Sequence, residues 1–118
     1  MNIYIAGSPR RRAELCAYAH RLEQSGHHVT SRWLGETNPP IFDLSDILSS
    51  ELILHFIGGD TALEFGFVLG VNLALSMSQV PAIRQYLIGD AGRHDFYMFS
   101  DGDFPDFNAF LVTLHNVN

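Results

Sequence analysis

Leu52-Ile53-Leu54-His55-Phe56-Ile57, closed by Gly58-Gly59 and followed by Thr61-Ala62-Leu63-Glu64, is the stretch around which the fold is organised. Successive side chains of a strand point to opposite faces, so a strand with one wet face alternates apolar and polar residues. A run with a single polar member has no wet face. It belongs to a central strand of a parallel sheet, with helices packed on both sides. The helix expected over 61–75 supplies one of those covers, and its Gly66 and Gly70, four apart, let another element approach its backbone. The helix is too short for the membrane reading of such a glycine pair.

Upstream, Ile3-Tyr4-Ile5-Ala6 reads as the first strand, and Gly7-Ser8-Pro9 turns the chain into a helix with Ser8 as N-cap and Pro9 at its first position. Leu15, Ala19 and Leu22 recur on one face of that helix, and Gly26 marks its stop. Residues 28–33 read as a second strand, 35–40 as an exposed loop and 42–49 as a short helix. Downstream, Tyr86-Leu87-Ile88 is a fourth strand, residues 97–99 a short fifth, and 105–114 a final helix after an acidic turn at Asp101-Gly102-Asp103. Strands alternating with helices give an α/β fold on a mostly parallel sheet of four to five strands.

The 118 residues form one domain over 1–118, since single domains cluster at about 100–150 residues. Hydrophobic residues make up 47% and charged residues 17%, enough apolar surface to offset the entropy of ordering. The net charge is −6, and all seven basic residues are Arg. Arg10, Arg11 and Arg12 are consecutive, so an acidic body carries one local anion-binding patch. A nucleic-acid binder spreads its basic residues over a face, so nucleic acid is not an expected partner. Nor is a membrane, because no apolar run reaches the roughly 18–20 residues of a span. Cys16 is the only cysteine, which excludes an internal disulfide and fits a reducing compartment. With no charged leader at the start of the sequence, cytoplasm is the expected location.

Ligands of open parallel sheets bind beyond the carboxyl ends of the strands. Three segments fall there: 7–12, Asp43 on the short helix, and 58–64. Gly7-Ser8-Pro9-Arg10-Arg11 joins a glycine turn, a hydroxyl, a helix start and guanidinium donors, a combination that can hold a phosphate. It also reads as an ordinary capped helix with solvated arginines. Glu64 lies one turn into its helix, where the dipole keeps a carboxylate ionised and able to attack an anomeric carbon. The same residues, Thr61 to Glu64, also fit a capping box. Asp43 and Asp46 share one helix face, and His55 reads as a satisfied core histidine. The histidines do not fall at zinc-site spacings, and neither a metal nor another cofactor is expected.

Taken in order, Ile3-Tyr4-Ile5-Ala6-Gly7-Ser8, Gly26-His27-His28-Val29-Thr30-Ser31-Arg32-Trp33-Leu34, Asp43-Leu44 with Ile47 and Ser50-Glu51, Ala62-Leu63-Glu64-Phe65-Gly66-Phe67 and Tyr86-Leu87-Ile88-Gly89 resemble the nucleoside 2-deoxyribosyltransferase-like proteins, among them the 5′-monophosphate N-glycosidases. That resemblance implies a flavodoxin-like, Rossmann-like three-layer sandwich. It makes Glu64 the nucleophile, Asp43 the acid at the leaving base and Tyr4 the residue that positions the nucleophile. Gly7, Ser8, Arg10 and Arg11 would receive the 5′ end of a small nucleoside or nucleotide. Gly59, Asp60 and Thr61 would line the same pocket. Arg93 and Asp95, in the loop 89–96, would complete a neighbour's site in a homodimer or larger assembly. The implied activity is cleavage of the N-glycosidic bond of a nucleoside 5′-monophosphate; the alternatives are base exchange by a deoxyribosyltransferase and nucleotide binding without turnover. Three features depart from the family pattern. Asp60 adds a negative charge beside Glu64, Glu51 stands for the usual Asp before the third strand, and the link 76–85 is long.

Overall fold

The computed structural model describes residues 1–35, 40–58, 61–89, 97 and 99–116. In chain order its elements are β1 (Asn2–Ala6), a 3-10 turn (Pro9–Arg11), α1 (Arg12–Gln24), β2 (His28–Val29), a second 3-10 turn (Arg32–Leu34), α2 (Pro40–Leu48), β3 (Leu52–Phe56), α3 (Thr61–Met77), β4 (Arg84–Ile88), β5 (Gly102–Phe104) and α4 (Phe107–Asn116). The strands form one sheet in the order β2-β1-β3-β4-β5, and every pairing is parallel. This is the flavodoxin-like order. β3 lies at its centre with all five residues buried, as its unbroken apolar run requires.

Side-chain alternation along the strands separates two cores. Ile3, Ile5, Leu52, Leu54 and Phe56 pack with Leu15 and Leu22 of α1 and with Phe107 and Phe110 of α4. Tyr4, Ala6 and Ile53 point the other way, toward Ile47 of α2 and Val68 of α3. Tyr4 therefore faces α2 and α3, while the Gly7 turn leads to α1 on the opposite face. A Cβ on Gly7 would stand 2.7 Å from Leu15 Cδ1 and 3.4 Å from Phe56 Cβ. Gly7→Ala is accordingly expected to cost about 1–3 kcal/mol, the usual penalty for overpacking a filled core, and denaturant titration reads it. Unchanged stability would mean that Leu15 moves aside freely.

The second strand is shorter than the expected 28–33. The Thr30 N–H still donates to the Ile3 carbonyl at 2.8 Å. Beyond that point side chains take over: Ser31 Oγ accepts from the Ile5 N–H at 2.5 Å, and Trp33 Nε1 donates to the Ile5 carbonyl at 2.8 Å. The backbone is released to turn. The fifth strand lies at 102–104, not at 97–99, because Asp101 captures both backbone groups of Gln85, at 2.7 and 2.8 Å, and brings the following residues against β4. Gly102 fits over the Tyr86 ring, where a Cβ would come within 3.1 Å. Asp106 then caps α4 by accepting from the Ala109 N–H at 2.8 Å, so that helix starts later than residue 105.

α3 runs past residue 75 and β4 begins at Arg84, which shortens the expected link 76–85 to residues 78–83. The Asn72 side chain ties that link down by bonding both the N–H and the carbonyl of Ile83 at 2.8 Å. Glu51 has a structural partner at the sheet's lower edge, accepting from the Asn2 N–H at 3.0 Å.

Candidate functional site

Tyr4 is only 3% exposed. Burial, and then the negative charges of Asp43, Glu64 and Asp46 in that order, push its hydroxyl well above the usual phenol range. Those charges reach the ring from two helices, so β1, α2 and α3 bring Tyr4, Asp43 and Glu64 into one electrostatic neighbourhood. The phenol stays a neutral O–H donor throughout the physiological range.

The carboxyls differ in their surroundings. Asp43 Oδ1 is buried without a hydrogen-bond partner among the described residues. Burial first, and the charge of Asp46 second, hold the Asp43 carboxyl above the usual range, with Arg32 pulling the other way. Asp46 is buried and accepts from the Arg32 N–H at 3.0 Å and from Arg32 Nε at 2.9 Å. That carboxylate fixes the second 3-10 turn to α2. Glu64 is half-buried in the first turn of α3, at the positive end of the helix dipole, where ionisation is favoured. Asp43 is thus biased toward the acid form, while Glu64 lies at a helix N-terminus. Such a pair suits proton donation by the first and nucleophilic attack by the second.

Thr61 is the first residue of α3. Its hydroxyl accepts from the Gly58 N–H at 2.8 Å and makes a side-chain hydrogen bond with Tyr97. It therefore ties the end of β3 to the helix, where a capping box would have turned it onto the N–H of residue 64.

Of the expected phosphate loop, Gly7 is fixed by packing, and Ser8 Oγ accepts from the Arg10 N–H at 3.3 Å. The Arg11 N–H is taken by the Ser8 carbonyl at 2.9 Å. Pro9 opens a 3-10 turn, and the α-helix proper begins at Arg12. The Arg11 side chain is already committed, paired with Glu14 at 2.5 Å and lying over the Phe56 ring at 5.5 Å. Arg10 is exposed, with no side-chain partner among the described residues. Arg12 Nε is buried with no hydrogen-bond partner among them, which makes Arg12 a donor that pattern reading did not single out; its only signal was the arginine run. Gly59, Asp60, Arg93 and Asp95 lie outside the described residues.

His55, 1% exposed, is bonded through Nε2 to Gln85 Oε1 at 2.7 Å. Gln85 Nε2 donates to the Phe65 carbonyl at 3.4 Å, which orients its oxygen toward the imidazole and assigns the proton to Nε2. Burial drives the histidine down to about 4, with the Gln85 bond opposing. Only one of its nitrogens is satisfied, because Nδ1 is buried without a partner among the described residues. No three His, Cys, Asp or Glu side chains among the described residues are grouped to hold a metal ion, and no helix among them is long and apolar enough to cross a membrane. No family model, curated protein or solved structure matches the chain.

Proposed function

We propose that this chain is a nucleoside 2-deoxyribosyltransferase-like enzyme that hydrolyses the N-glycosidic bond of a nucleoside 5′-monophosphate. The observation that carries this reading is the joint action of Asp43 and Glu64 on the buried Tyr4 hydroxyl, with Asp43 biased toward its acid form. Glu64 attacks C1′, the bond from C1′ to the base nitrogen breaks, and its electron pair leaves with the base, which takes a proton from Asp43. Water, deprotonated by the Asp43 carboxylate, then attacks C1′ and frees Glu64. The products are a free base and a sugar 5-phosphate. Tyr4, as a neutral donor, orients the Glu64 carboxylate, and Arg10 with its neighbours receives the phosphate.

Incubation with a panel of ribo- and deoxyribonucleoside monophosphates, followed by chromatography, is expected to show base and sugar phosphate in equal amounts. Folded protein that releases no base from any of them would overturn the proposal. A second free base added to the same reaction separates hydrolysis from transfer, since only a transferase makes a new nucleoside.

Asp43 also ties function to stability. Its raised folded pKa means that the native state binds a proton more tightly than the unfolded chain. That contribution is fully present below the unfolded value near 3.8 and is lost as pH rises through the folded value. At neutral pH the ionised side chain is therefore a burden. Asp43→Asn is expected to lower base release while raising the thermal midpoint by up to about 4 °C, the change that about 1 kcal/mol makes in a domain of this size. A lower midpoint in scanning calorimetry would contradict the assignment.

A further inference from the structure

A cavity of about 270 Å³ opens at the amino end of the sheet, on the side of α1 and α4. Its walls are Leu52 at the start of β3, Tyr86 of β4, Phe104 of β5, and Phe110 and Leu114 of α4. Tyr4 faces α2 and α3, the helices that carry Asp43 and Glu64, across the sheet from these residues. Ligands of the candidate site come to the carboxyl ends of the strands. The cavity is therefore a second place, and the proposed hydrolysis makes no use of it.

One charged side chain lines it. Arg84 opens β4 opposite Leu52 and is exposed where it meets the cavity. Alternation along β4 puts Arg84 on the same face as Tyr86. Arg84 Nη2 donates to Met1 Sδ at 3.0 Å, and among the described residues no carboxylate pairs with it, although acidic residues outnumber basic ones by 13 to 7. Glu51, next to Leu52, faces the other way by the same alternation and accepts from the Asn2 N–H. A guanidinium carries five donors and a thioether is a weak acceptor, so most of this fork is open to a ligand.

We propose that the cavity binds a small aromatic carboxylic acid, its ring among the aromatic walls and its carboxylate on Arg84. Tyr86, Phe104 and Phe110 meet edge-on or tilted, with ring centres 5.5 to 5.9 Å apart, and the edges and faces they present favour a further ring in the same geometries. An apolar cavity of about 150 Å³ suffices for benzene, so this one takes a single ring and a short chain. Apolar walls with one oriented polar group are the usual design of a small-molecule site. The arginine fork matches a carboxylate with two parallel hydrogen bonds. A single guanidinium balances the one charge of a carboxylate and leaves half the charge of a phosphate uncompensated.

Titration calorimetry of the full chain with phenylpropionate is expected to show one site with a dissociation constant of about 0.1–1 mM, the range open to an efficient ligand of this size. In amide NMR spectra residues 84–86 and 110–114 are expected to shift most. Arg84→Met keeps an apolar stem without the charge and is expected to weaken binding at least about tenfold. Phenylpropanol, the uncharged analogue, is expected to lose the same factor on the unaltered chain, a comparison that holds even if the variant does not fold. Thr113→Trp, at an exposed position on the cavity wall, fills the space and is expected to abolish binding. Acetate, the charge without the ring, is expected not to displace phenylpropionate. No saturable binding would overturn the proposal, as would shifts confined to residues 7–12 and 43–64, equal affinity for phenylpropanol, or displacement by acetate at equal concentration. Each of these readouts is independent of base release.

Discussion

Base release by Glu64→Gln is expected to fall at least about a hundredfold below the parent, with the fold retained. Gln keeps the length and the hydrogen-bonding reach of Glu but has no anionic oxygen with which to attack C1′. Folding gives up little. The interaction of a carboxylate with a helix N-terminus is worth about 0.3–1 kcal/mol. The thermal midpoint should therefore stay within a few degrees of the parent while turnover collapses. Single-turnover assays with enzyme in excess read the chemical step directly. A variant that keeps most of the activity would reduce Glu64 to a helix-terminal charge and end the proposed mechanism.

His55 should dominate the acid limb of stability. Its folded value of about 4 lies below the ordinary 6.5, so the unfolded chain takes up a proton at a pH where the native imidazole refuses one. Stability is therefore whole above pH 6.5 and is lost as pH falls through that value toward 4, by about 3 kcal/mol over the full interval. His55→Gln preserves a donor toward Gln85 Oε1 and abolishes the titration. The difference between parent and variant in urea midpoints, measured from pH 7 down to 4, should carry that slope. Parallel curves would show that the buried ring gains its proton at no cost.

Local chemistry announces some elements of this chain and hides others. The unbroken apolar run at 52–57 could only be a covered strand, and β3 is one. Gly26 adopts φ +93, a backbone that a glycine after Ser25 already suggested as the stop of α1. Leu15, Ala19 and Leu22 are buried as their spacing demands. β5 could not be seen, because a three-residue edge strand needs no apolar pattern; Gly102 and Asp103 are there to fit over Tyr86 and to follow the Asp101 clasp. The aromatic residues at 97–99 looked more like a strand, yet Tyr97 packs edge-on against Phe65 with ring centres 5.7 Å apart. At the candidate site, the glutamate and aspartate were legible as residue types at suggestive positions, whereas Tyr4 was singled out only through the family resemblance. What separates Asp43 from Asp46 was not: three residues apart on one helix, one has an unpartnered oxygen and the other is clasped by Arg32. That distinction comes from the 3-10 turn at 32–34, a segment that reads locally as a strand.

The replacement of backbone partners by Ser31 and Trp33 has a meaning for the protein's colloidal behaviour. With β2 only two residues long, the outer half of β1 would otherwise present the Ile5 N–H and carbonyl in register for an invading strand, the template from which ordered aggregates grow. A hydroxyl and an indole plug both groups, and neither side chain can be extended by a further strand. The sheet ends there because its next hydrogen bonds are spent on side chains, and the strand that carries Tyr4 is closed to its own kind.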